Sequence, residues 1–60
     1  MKVIVVEKEG SGRRIDAYLS ENVDNMSRVA VQRLIQNQDI LVNDQKVKAS
    51  YKVQENDNII

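Results

Sequence analysis

An α+β fold, two packed helices on a small antiparallel sheet with a β-hairpin after the second helix, is predicted by three features of this 60-residue chain. A β-branched run at the start breaks at Gly10-Ser11-Gly12. Two stretches between Arg13 and Gln38 then repeat apolar residues with helical period, and beyond Asp39 the period falls to two.

The first strand is Val3 to Val6, continued by the polar Glu7, Lys8 and Glu9 and expected at a sheet edge. From Arg13, the residues Ile15, Tyr18, Leu19 and Val23 share one helical face with Asp16, Ser20 and Glu21 opposite, so a first helix is expected to about Asn22, capped by Ser11 or Gly12. Val23 to Met26 breaks the period. Ser27 is a strong N-cap for a second helix, and Met26 and Val31 stand at the spacing of a hydrophobic staple. Its stripe is Ala30, Val31, Leu34 and Ile35, with Arg28, Gln32, Gln36 and, at the margin, Arg33 on the other side. The helix should end near Asn37 or Gln38, where Asn tolerates the left-handed conformation of a C-terminal turn. After it, Ile40 to Asn43 and Lys46 to Lys48 read as two strands joined by Asn43-Asp44-Gln45, and Tyr51 to Val53 and Asn58 to Ile60 as further strand pieces around an Asn56-Asp57 turn. The chain stops inside an apolar pattern, from which a longer parent protein is expected.

Composition narrows the function. With neither Cys nor His, the chain has no disulfide, thiolate metal site, Cys nucleophile or usual neutral-pH base, so no catalytic residue, metal or cofactor is expected. No apolar run approaches the roughly 20 residues that span a bilayer, which leads to the expectation of a cytoplasmic protein without a membrane partner or a small-molecule substrate. A membrane-surface role for the second helix is set aside because the core needs its apolar stripe. Asp16 is read as a helix-dipole residue rather than a catalyst, and Tyr18 and Tyr51 as core or rim fillers rather than base-stacking platforms.

Nine basic and nine acidic residues balance, so their placement matters more than their sum. Arg13, Arg14, Arg28 and Arg33 lie on or beside the helices and Lys46, Lys48 and Lys52 on the hairpin side, while no acid occurs from Ser27 to Gln38. If the hairpin packs against the second helix these bases converge into a phosphate-binding patch; otherwise they are solvated residues in weak ion pairs. Spacing alone leaves both readings open.

The ordered set Gly12-Arg13-Arg14-Ile15-Asp16, Leu19, Ser27-Arg28, Leu34-Ile35, Ile40, Val42-Asn43, Val47, Ser50 and Asp57-Asn58-Ile59 resembles the S-four RNA-binding domain, also called the alpha-L type. That family reads approximately G-x-R-L-D, S-R, L-I-x-x-G-x-V-x-V-N-G, V and G-D-x-I. The resemblance implies RNA, read by shape and phosphate more than by sequence, held along the second helix and the following hairpin. It implies contacts from Arg14, from Ser27 and Arg28 at the helix start, from Gln32 and Arg33 along it, and from Asn43 and Lys46 on the hairpin. Gln38, Asp44 and Asn56 stand where the family has Gly; Asp44 and Asn56 can take positive φ at small cost, whereas Gln38 would be strained by roughly 1 kcal/mol or force another turn.

The leader Val3 to Glu9 further resembles the lead-in of the ribosomal large-subunit pseudouridine synthases, implying a monomeric N-terminal domain that positions structured RNA, rRNA or tRNA, for a catalytic domain lying elsewhere. The alternative is a free-standing ribosome-associated RNA-binding protein without catalysis. A hemolysin-like RNA methyltransferase is disfavoured by the leader, and a protein-protein module is supported mainly by the neutral charge.

Overall fold

The computed structural model describes residues 3–60 and has the expected α+β architecture, with β1 (Ile4–Val5), α1 (Ile15–Asn22), α2 (Arg28–Gln36) and β2 (Asn58–Ile59) in chain order. β1 and β2 pair antiparallel, with Ile4 opposite Ile59 and Val5 opposite Asn58. On its other side β2 meets residues 41–43: Leu41 and Ile60 exchange backbone hydrogen bonds of 3.1 and 2.9 Å, and the Asn43 N–H donates to the Asn58 carbonyl at 2.8 Å. Among the described residues β1 is therefore an edge. The two helices pack on each other, and Ile15, Leu19, Val31 and Val53, none more than 2% exposed, join residues of the sheet in one core. No helix among the described residues is long and apolar enough to cross a membrane.

α1 begins two residues later than its periodicity suggests, and neither Ser11 nor Gly12 caps it. The residue at its N-cap is Arg14, in extended conformation and without a capping side chain. Tertiary pairing is the reason. Residues 12–15 run antiparallel to 51–53, with the Gly12 N–H on the Val53 carbonyl at 2.7 Å, the Val53 N–H on the Arg13 carbonyl at 2.9 Å and the Ile15 N–H on the Tyr51 carbonyl at 2.7 Å. These bonds hold Arg13 and Arg14 out of the helix and leave Gly12 with φ of +90°.

α2 starts as expected, the Ser27 hydroxyl accepting from the Ala30 N–H at 3.1 Å. It ends in a Schellman arrangement: the Gln38 N–H donates to the Ile35 carbonyl at 3.0 Å and the Asp39 N–H to the Leu34 carbonyl at 2.8 Å. The left-handed residue is thus Gln38, with φ of 63°, and not Asn37. Asp44 (66°) and Asn56 (73°) also take positive φ, so all three replacements of the usual glycines adopt the glycine-type backbone.

Val42 and Gln45 exchange two 2.9 Å hydrogen bonds around Asn43 and Asp44, both at positive φ, which is a type I′ turn. The hairpin stops there. Residues 46–48 form no second strand; Val47 and Ala49 instead pack against the core, so the chain leaves the sheet for the helices.

Candidate nucleic-acid interface

Asp16 organises the helical face. Its carboxylate is fully buried and accepts from Arg14 through Nε (3.2 Å) and a terminal nitrogen (3.0 Å), from Arg28 (3.4 Å to each oxygen) and from the Gln32 amide (2.9 Å). The Ala17 N–H, an orphan donor of the first helical turn, adds a 2.7 Å bond. Burial by itself would raise the carboxyl pKa, but the bonds from Gln32, Ala17, Arg14 and Arg28 outweigh it and lower the value to about 2. The expected helix-dipole role is thus only a small part of what Asp16 does: it gathers three residues implied as RNA contacts, from sequence positions 2, 12 and 16 away, onto one point.

The arginines stay outward. Their side chains are 47% and 52% exposed, and one carboxylate faces two guanidiniums, leaving an excess positive charge at the surface. Each guanidinium carries five N–H donors, of which Asp16 engages only the inner ones. Beside this cluster a groove of about 440 Å³ opens between α2 and residues 46–49, lined on one side by Gln32 and Gln36 and on the other by Lys46 and Lys48. Gln32 belongs to both, joining the arginine cluster to the lysines.

Not every basic residue converges. Arg13 pairs with Glu21, an exposed ion pair on the far part of α1. Arg33 is exposed, but helical geometry of about 100° per residue turns it away from Gln32, outside the cluster and the groove. Ser27 caps α2. Asn43, implied as an RNA contact, has its amide nitrogen on Asp57 at 3.0 Å and its amide oxygen on the Asn58 N–H at 3.0 Å, so its side chain ties the turn to β2.

Asp57 is the second buried carboxylate, at 8% exposure, accepting from the Tyr51 hydroxyl (2.6 Å), the Gln54 N–H (2.9 Å) and Asn43. Burial would raise its pKa, yet these three bonds bring it below the ordinary value; the same bond from Tyr51, with burial and the negative charge of Asp57, raises the Tyr51 pKa. Tyr51 thus serves the loop, and Tyr18, at 7% exposure, packs where a Cβ on Gly10 would collide with its ring. Sequence reasoning missed the roles of Asp16 and Asp57 and the groove positions Gln36 and Gln38, whereas Lys48 stood with Lys46 in the expected hairpin-side basic set. One signal was present: both acids lie within the motif elements, and the cations of α2 have no acid of their own.

Comparison with known proteins identifies the family. The S4 domain model matches residues 13–59. An uncharacterised RNA pseudouridine synthase of Chlorobaculum parvum is 43% identical over 54 residues, covering 90% of this chain and 16% of that protein. An uncharacterised RNA pseudouridine synthase of Bacillus subtilis is 34% identical over 56 residues (93% and 18%), and ribosomal large subunit pseudouridine synthase C of Vibrio cholerae 30% over 57 residues (95% and 18%). The chain spans less than a fifth of the length of these relatives. Two helices on a small antiparallel sheet and a family match over all but residues 1–12 and Ile60 lead to one conclusion: this chain belongs to the S4 domain family and is an RNA-binding domain.

Proposed function

We propose that this domain holds structured RNA for a pseudouridine synthase catalytic domain, with rRNA as the first candidate and tRNA as the second. The observation that carries the reading is the Asp16 cluster, which holds Arg14, at the N-cap of α1, and Arg28, the first residue of α2, on one carboxylate and, through Gln32, connects them to the groove that Lys46 and Lys48 line. Guanidinium forks suit phosphate oxygens, and the first N–H groups of α2 add favourable partial charge. A strand continuing round α2 would meet Arg33. The pseudouridine synthases among the relatives, two of the matched proteins being named for the ribosomal large subunit, support the enzymatic parent and the rRNA preference.

The test is salt dependence. If Arg14, Arg28, Lys46 and Lys48 contact about four phosphates, log K against log salt should fall with a slope near −3 on single-stranded RNA. A flat dependence would overturn the phosphate reading. The chain alone should form no pseudouridine when incubated with uridine-containing RNA, since it offers no paired nucleophile and base.

A further inference from the structure

We propose that the groove between α2 and residues 46–49 receives one unstacked nucleobase of the bound RNA, and that Gln36 and Gln38 read its edge. This rests on the RNA-holding role above and deepens it, from phosphate contact to recognition of an unpaired nucleotide.

The backbone points to Gln38. Among the described residues five non-glycine positions have positive φ, and four of them are Asn or Asp, whose short side chains make the left-handed region accessible. Gln38 is the exception. A glycine would satisfy the same Schellman turn without strain, so the glutamine is held there at a cost, and this residue lines the groove. Strained residues that persist cluster at ligand-binding positions.

The lining suits a base. Gln36 and Gln38 each carry an amide with a donor and an acceptor, the pattern that base edges present in reverse. Ile35, Val47 and Ala49 contribute apolar surface against which a flat ring can lie. Lys46 and Lys48 stand where the phosphates flanking that nucleotide would pass. The volume, about 440 Å³, falls within the usual range of ligand clefts, roughly 300–1,000 Å³. Unpaired bases that can be splayed out are the usual targets of sequence-reading RNA contacts.

The experiment uses the 60-residue chain and fluorescently labelled RNA hairpins carrying a single bulged nucleotide, as A, C, G, U or an abasic residue. At least one base should bind about tenfold more tightly than the abasic hairpin, the size of one well-made edge contact. The double variant Gln36→Ala/Gln38→Gly should lose that difference while keeping its circular dichroism and its salt slope, and Gln36→Ala alone should lose part of it. Equal binding of all five hairpins, or a double variant that retains the preference, overturns the base-reading groove and leaves the phosphate role standing. Absence of salt-dependent binding to every hairpin overturns both.

Discussion

The two buried carboxylates are alike in burial and in lowered pKa, and differ in what they hold. Asp57 is satisfied by three neutral donors, a phenol, a backbone N–H and an amide, all within the loop and turn around it. Asp16 is satisfied by two half-exposed guanidiniums, an amide and one N–H, from both helices. Neutral partners close the site on itself. Charged partners leave positive charge facing outward, so the same residue type fastens a turn in one place and builds a binding surface in the other.

This contrast can be broken most strongly at Asp57. Asp57→Ala leaves the Tyr51 hydroxyl, the Gln54 N–H and the Asn43 amide without their acceptor and should cost about 2–4 kcal/mol in urea unfolding, with RNA affinity of the folded fraction unchanged. A loss below about 1 kcal/mol would show that the loop does not depend on it.

Asp16→Asn is the sharper experiment. It should lower stability by about 2 kcal/mol, because charge-assisted bonds to two arginines and a glutamine are weakened. It should also weaken RNA binding several-fold, although the chain gains one unit of positive charge. An acid that merely repelled RNA would give the opposite sign, and tighter binding in an anisotropy titration would remove Asp16 from the interface.

Arg28→Ala should weaken RNA binding by roughly 1–3 kcal/mol and cost under about 1 kcal/mol of stability, since its bonds to Asp16 are long and its side chain is half exposed. Unfolding on this substitution would mean that the cluster is structural before it is functional.

The smallest effect is on acid stability. Both folded-state pKa values lie below the ordinary carboxylate value, so both groups contribute stability that is fully present above about pH 4. For Asp16 it is lost as the pH falls from about 4 through its folded value of about 2. Asp16→Asn should flatten the pH dependence of the urea midpoint across that window, whereas an unchanged profile would show that its carboxylate is no better stabilised in the folded chain than in the unfolded one.

Local signals in the sequence carried much of the fold. The Ser27 cap, the Val31 and Ile35 centre of the α2 stripe and the Asn43-Asp44 turn depend on neighbours within a few residues and form as their residue types require, while Leu34 is only partly buried and Ala30 lies at the margin. Even the departures at Gln38, Asp44 and Asn56 left the turns in place, because the cost of a positive φ, small for Asp44 and Asn56 and larger for Gln38, is outweighed by a completed set of backbone hydrogen bonds. The later start of α1 and the missing strand at 46–48 were not legible, since each depends on a segment far along the chain.

By itself, then, the amino-acid sequence determined the class of fold, the span of α2, the turn residues and the family whose ordered motif it carries. Tertiary structure alone decided that Asp16 is an anchor as well as a helix-dipole residue, that Arg13 leaves the basic face for Glu21, and that Asn43 serves the loop of Asp57. The physical reason is range. Periodicity and capping act over one or two turns of chain, whereas a buried carboxylate must find donors wherever the fold brings them, here 12 and 16 residues away.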